Sequence, residues 1–297
     1  MESLELRFYS DGAQLDGRLY LPQGRTGQGG LPLVIACSGF LGLYRIHPER
    51  FARYLTTRGF ACYGFDYRGH GESGGTRNRV LLEELVRDIR CAVTASSASW
   101  HVDRDNVFLL GWAMGAGLVL DAVRELPGVK GIICVNGLYD GLDFHTSHRG
   151  QQGLHNFRQW INNERLRRAR SGQAELVAPF EIYPLDEQTQ EYVTESLEGI
   201  PGYDTSVTSF EFAESLIRWS VMPIVASATL PLFIAHGTSN GLHPKEQAEA
   251  VVAAYGGPAT TYWMPNAGHT EWMQDHDPQF QRLCAAIFDW LSSQVAP

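Results

Sequence analysis

Cysteine is sparse: Cys37, Cys62, Cys91, Cys134 and Cys284 are scattered through 297 residues, with no Cys-x-x-Cys and no zinc-like spacing. That excludes a disulfide framework and a cysteine-built metal site, and thiols set inside apolar runs suit core packing in a reducing compartment. Long hydrophobic runs are also absent. The longest uncharged one, 221–235, is broken by Pro223 and Pro231 and is too short to span a bilayer. The start, Met1 to Arg7, alternates charged and apolar residues and has neither the basic beginning nor the apolar stretch of a leader, so the expectation is a cytoplasmic protein. Positive charge is in deficit, with 24 Lys and Arg against 33 Asp and Glu for a net charge of −9. This argues against nucleic-acid and membrane partners. The cluster Arg165, Arg167, Arg168, Arg170 is the local exception and reads as a solvated helix face.

What is present is a large core, since 44% of the residues are hydrophobic. Leu4 to Tyr9 and Leu15 to Leu21 flank Ser10-Asp11-Gly12 and read as an antiparallel hairpin. Apolar strands 33–37 and 60–65 enclose a helical pattern at 47–58. The unit repeats as helix 80–94, strand 107–112, helix 115–125 and strand 129–136. It resumes as strand 232–236, helix 244–255, strand 260–264 and helix 278–294. Such alternation predicts an α/β fold with one mostly parallel sheet of about eight strands covered on both faces, with ligands at the carboxyl ends of the strands. The stretch 141–223 breaks the rhythm: it is polar, with helical patterns near 157–170 and 187–198. It reads as a cap inserted into a core made of 1–140 and 224–297. Its aromatics Phe144, Phe157, Trp160, Phe180, Tyr183, Tyr192, Tyr203, Phe210, Phe212 and Trp219 could wall a small-molecule pocket or fill the cap's own core.

Residues 107–117, Val-Phe-Leu-Leu-Gly-Trp-Ala-Met-Gly-Ala-Gly, organise the chain. They read as a buried strand, a glycine-tight turn and the opening of a helix, the order of a nucleophile elbow Gly-x-Ser-x-Gly, but the central position is Ala113. Three further stretches converge on it. Cys37-Ser38-Gly39-Phe40-Leu41-Gly42 follows a strand and can present the Phe40 N–H, with that of Met114, to an oxyanion. Asp66-Tyr67-Arg68-Gly69-His70-Gly71-Glu72-Ser73 is a turn in which His70 fits a structural role better than that of a base. Pro265-Asn266-Ala267-Gly268-His269 places His269 where a general base can reach back over the sheet. The residue that orients His269 falls at Asn240, in the loop after the preceding strand. Asp140 and Asp143, after the strand that follows the elbow helix, are alternatives.

Together these motifs resemble the α/β-hydrolase superfamily over nearly the whole chain outside the cap. Gly111-Trp112-Ala113-Met114-Gly115 is similar to its elbow, and Cys37-Ser38-Gly39-Phe40 to its His-Gly oxyanion loop with Ser38 for histidine. Asp66-x-Arg68-Gly69-His70-Gly71-x-Ser73 is similar to its strand-four turn. Asn240 falls at its acid and His269 at its base. The resemblance implies a serine hydrolase that cleaves a small or medium ester, thioester, lactone or amide through Ser-His-acid chemistry, without metal or organic cofactor. Two readings account for Ala113: a Ser→Ala variant that holds substrate without turnover, or a naturally non-hydrolytic ligand-binding or lyase-type protein on the same frame. Asn240 favours the second, and the intact His269 loop and oxyanion donors favour the first.

Overall fold

The structure is a computed structural model and describes residues 1–24 and 30–295. Its centre is an eight-stranded sheet made of β1 (Glu2–Glu5), β2 (Gly17–Leu21), β3 (Leu31–Cys37), β4 (Ala61–Phe65), β5 (Val102–Trp112), β6 (Val129–Val135), β7 (Leu232–Gly237) and β8 (Ala259–Met264). The spatial order is β1-β2-β4-β3-β5-β6-β7-β8. β1 and β2 pair antiparallel with each other, as do β2 and β4, and every later pairing is parallel. The expected first hairpin divides in two. Glu2–Glu5 pairs with Gly17–Leu21, whereas Phe8–Ser10 pairs with Ala13–Leu15 in a separate ribbon. Asp11 and Gly12, both at positive φ, make its turn.

Parallel strands buried on both faces need continuous apolar sequence, and Leu33, Val34, Ile35 and Ala36 of β3 are all essentially inaccessible. One face is covered by α1 (His47–Thr56) and the C-terminal helix Pro278–Gln294, which bring Phe51, Leu55, Leu283 and Ile287 onto Val34, Phe108 and Ile133. The other carries α2 (Leu82–Ser97) and α3 (Met114–Ala122), which set Leu85, Ile89 and Leu118 against Leu33, Ile35 and Leu109. Between β6 and β7 the chain leaves the sheet. It forms α4 (Gly141–Ser171), broken at Gly150 where φ is 61° and ψ −179°, and α5 (Glu187–Tyr192), which runs into a π-helical turn at Val193–Leu197. The sequence pattern at 157–170 is thus the second half of a longer kinked helix.

The parallel strands β3, β5, β6 and β7 end near one another, and at the end of β5 the chain turns sharply into α3. Ala113 occupies this turn at φ 53°, ψ −122°, a conformation that strains a residue with a side chain. Backbone bonds pin it: its N–H donates to Val135 O at 3.0 Å, and its carbonyl accepts from Leu138 N at 3.1 Å. The flanking glycines permit the close approach. A Cβ at Gly115 would lie 2.3 Å from Ser38 O, and one at Gly111 would lie 2.3 Å from Gly115 O. Gly115→Ala is therefore expected to lower unfolding stability by about 1–3 kcal/mol through overpacking, whereas Ala113→Gly, which relieves the positive φ, lowers it little or raises it. Paired denaturant titrations decide the matter, and equal losses from both substitutions would contradict this account of the turn.

Candidate functional site

The strained turn aims Ala113 at the base of a cavity. Met114 opens α3 as its first residue, so its N–H has no intrahelical partner. The loop after β3 lies directly against the turn: a Cβ at Gly39 would sit 2.9 Å from Ala113 Cβ and 3.6 Å from Met114 N. Among the described residues no hydrogen-bond partner takes the Phe40 N–H. The Phe40 ring stacks on Phe212 at 4.6 Å and packs on Tyr183 at 5.1 Å. The second sequence motif props this loop from behind. Asp66 accepts from Tyr44 N at 2.8 Å, and the Tyr67 hydroxyl donates to Ser38 O at 3.3 Å. Arg68 forms a buried pair with Asp88. His70 bonds through Nδ1 to the carbonyl of Arg68 at 2.9 Å and is not among the residues lining the cavity at Ala113.

His269 lines the same cavity as Ala113 and is 2% exposed. Its Nδ1 meets Asn240, whose Nδ2–H donates to it at 3.1 Å. The direction of this bond is fixed by the far end of the amide, because Asn240 Oδ1 accepts from Leu242 N at 3.1 Å and from His243 N at 3.0 Å. Rotating the amide would set its NH2 against two N–H groups. His269 Nδ1 is therefore an acceptor, and in the neutral ring the proton sits on Nε2. A carboxylate at 240 would satisfy the same two backbone donors and accept from a protonated Nδ1; the amide reverses that tautomer.

Neither alternative carboxylate takes part. Asp140 caps α4, accepting from Asp143 N at 2.8 Å, and among the described residues neither Asp140 nor Asp143 bonds to His269. A residue that the motifs did not single out does more. Asn136, at the end of β6 with φ 48°, donates through Nδ2 to His269 O at 2.9 Å and Gly268 O at 3.2 Å, and accepts at Oδ1 from Gly237 N at 2.8 Å. It thereby joins the loops that carry Asn240 and His269. Its position between a strand and Gly137 was the available signal. His243 is similarly placed: Nδ1–H donates to Asn136 O, and Nε2 accepts from the Tyr183 hydroxyl, both at 2.7 Å.

The cavity is walled by Leu43, Ile46, Trp112, Leu185, Val193 and Leu197, with Phe180, Tyr183, Tyr192 and Tyr203 from the segment between β6 and β7. Of the remaining aromatics of that segment, Phe157, Trp160 and Phe210 pack together, whereas Phe144 and Phe212 stack on the cavity-lining Tyr183. No Asp, Glu, Lys or Arg is among the lining residues. Among the described residues no cluster of three or more potential metal ligands occurs, and no helix is long and apolar enough to cross a membrane.

Burial also sets the charge state. Desolvation holds His47 and His243 down to about 3 and His236 to about 4, and lowers His269 well below its ordinary value. Below pH 6.5 the unfolded chain binds protons that these folded rings refuse, so stability falls with acid. Asp66, raised by burial to about 7, works in the opposite sense between its ordinary 3.8 and 7, as does Asp88, also raised by burial, but His70 and His145 are lowered along with the other four rings, and six rings outweigh two carboxyls. The melting temperature is expected to fall steadily from pH 6.5 to 4; a flat or rising profile would refute the neutral-histidine cluster.

A family model described as Hydrolase_4, serine aminopeptidase S33, matches residues 32–276. An uncharacterized 31.7 kDa protein from the traX-finO intergenic region of Escherichia coli is 25% identical over 266 residues, 89% of this chain and 91% of that protein. A monoacylglycerol lipase of Mycolicibacterium smegmatis is 33% identical over 98 residues, 32% of this chain and 34% of that protein. Among solved structures, DcsB in complex with its substrate analogue covers all of both chains with a TM-score of 0.83 at 17% identity. At that identity the likeness is one of fold.

Proposed function

The chain belongs to the serine aminopeptidase S33 family of α/β hydrolases, and from that premise we propose that its cavity is an acyl-binding site that holds a carbonyl compound without cleaving it. The Phe40 and Met114 N–H groups serve as the oxyanion pair, His269 stands at the base position, and residues 141–223 act as a cap that supplies specificity. The direction of the Asn240–His269 bond carries this reading. With Nδ1 accepting, His269 offers Nε2–H to the cavity, and three donors then face a carbonyl oxygen while nothing nearby can attack the carbon. A serine at 113 alone would meet a donor where it needs an acceptor. The two losses are thus coupled in geometry, which favours a site emptied of hydrolytic chemistry at both positions over a single deletion of the nucleophile.

The ligand is a neutral ester, thioester, lactone or amide. An aminopeptidase needs an anion for the free ammonium of its substrate, and no carboxylate lines this cavity, so peptide N-termini are poor candidates. No metal or organic cofactor enters the scheme. The five free cysteines, four of them buried, fit a cytoplasmic setting.

Restoring both positions tests the reading. Ala113→Ser is expected to give p-nitrophenyl butyrate hydrolysis and fluorophosphonate labelling that stay weak, because the tautomer is wrong. Ala113→Ser with Asn240→Asp is expected to exceed it by about 10⁴ in kcat, the scale on which an orienting carboxylate exceeds its amide. The native protein should neither label nor hydrolyse. Equal rates from the single and double variants would remove the tautomer argument, and an inert double variant would remove the acyl-site reading.

A further inference from the structure

The loop after β3 carries a side chain at a position where the backbone favours none. Leu41 has φ 61°, a conformation that glycine holds freely and that a bulky side chain strains. The loop fixes it there: Ser38 Oγ donates to Leu43 O at 3.0 Å, and Gly42 packs so closely on Ser38 that a side-chain carbon there would collide with it. Leu41 is 6% exposed, yet it belongs to neither of the apolar clusters on the two faces of the sheet. The strain is thus retained for a side chain that adds nothing to the core, and such strain points to a use elsewhere.

Leu41 lies between two cavities. It lines the one that holds Ala113 and His269, and it also lines a second, together with Gly69, Gly71, Gly202, Val207, Arg77 and Asp204. Leu43 shows that the two stand back to back. It lines the first cavity, and side-chain carbons at Gly71 and Gly202 of the second would lie 2.8 and 3.9 Å from its Cδ atoms. Arg77 and Asp204 are solvent-exposed, so Val207 and the glycines supply the surface that a chain could use. The Phe40 N–H belongs to the residue before Leu41, so an acyl chain that runs along this loop from a carbonyl held there meets Leu41 before it reaches the second cavity. We propose that Leu41 is the stop that limits acyl-chain length, by closing the second cavity to the chain. This limit rests on the acyl-site reading above.

Calorimetry on the native protein tests it with the N-methylamides of the even-numbered acids from butanoic to dodecanoic, which are neutral and resist hydrolysis. Affinity for the native protein is expected to rise by about fourfold per methylene and then to stop at one chain length. In Leu41→Gly and Leu41→Ala the rise should continue for about two carbons more. The first amide past the native limit should then bind these variants about fivefold or more tighter than it binds the native protein, while the affinity for N-methylbutanamide stays within about threefold. N-decylacetamide, whose chain lies on the other side of the carbonyl, should gain nothing. Leu41→Gly should melt no lower than Leu41→Ala, because glycine relieves the positive φ. A limit that does not move overturns the stop, as does a native affinity that rises through the whole series, an equal change at every length, or a lower melting point for the glycine variant. A gain confined to N-decylacetamide overturns it for the acyl side. If no amide binds any of the three proteins, the acyl-site reading fails and the limit fails with it.

Discussion

The backbone at residue 113 is the constraint on which the site depends. A positive φ on a residue with a side chain costs free energy, and here it persists because the turn is held on every side. β6 takes its N–H, the residues beyond β6 bond its carbonyl, and Gly111 and Gly115 remove the side chains that would push β3 and α3 away. From this turn follow the unpaired N–H of Met114, the contact with Gly39 that carries Phe40 into place, and the direction in which the Ala113 methyl points. The frame does not require a hydroxyl. A methyl is accommodated in the same conformation, so the contacts around the turn do not depend on an oxygen at 113.

The second determinant is a matter of hydrogen-bond polarity. Two backbone N–H groups, at Leu242 and His243, face position 240 and demand an acceptor. A carboxylate would meet that demand and still have an oxygen for His269; an amide meets it only by turning its NH2 toward the imidazole. Asn240 is therefore close in shape to an aspartate and opposite in consequence, because it leaves His269 Nδ1 an acceptor and puts the ring proton on Nε2. Desolvation acts in the same direction: with no carboxylate beside it, and with His236, His243 and His47 nearby, His269 has nothing to favour its charged form. The amide and the burial together keep the ring neutral.

Much of this was legible in the sequence, for identifiable reasons. Continuous apolar runs marked β3, β5, β6 and β7 because a doubly covered parallel strand has no polar face to show, and Gly111, Gly115 and the loop at 37–42 marked the turn because close backbone approach leaves a compositional trace. Asn240 and His269 were found by the order of loops along the chain. The hairpin at the start was misread because one alternating pattern served two ribbons, and the kink at Gly150 was hidden because a glycine within a polar helix carries no distinctive signal. Asn136 escaped for a different reason: its side chain joins two loops more than a hundred residues downstream, and nothing local records that. The alternative Asp140 fell to helix capping, a local use of a carboxylate that competes with any distant one, and Asp143 supplies the backbone N–H that it caps.

Ala113 and Asn240 stand where the proposed hydrolytic frame would place a nucleophile and an acid, and simple decay of such a frame predicts no particular order among what remains. The unused parts of this one stay mutually consistent. The Phe40 ring is packed against Phe212 and Tyr183, and the Tyr183 hydroxyl in turn bonds His243, whose other nitrogen bonds Asn136, the residue that holds the His269 loop. On the proposed acyl-site reading, the apolar walls, the unpaired donors and the neutral rings suit an uncharged molecule with an acceptor at one end. Burying donors without partners is unfavourable unless something fills the cavity. The order of these contacts beside Ala113 and Asn240 supports the proposed binding site over a decayed one.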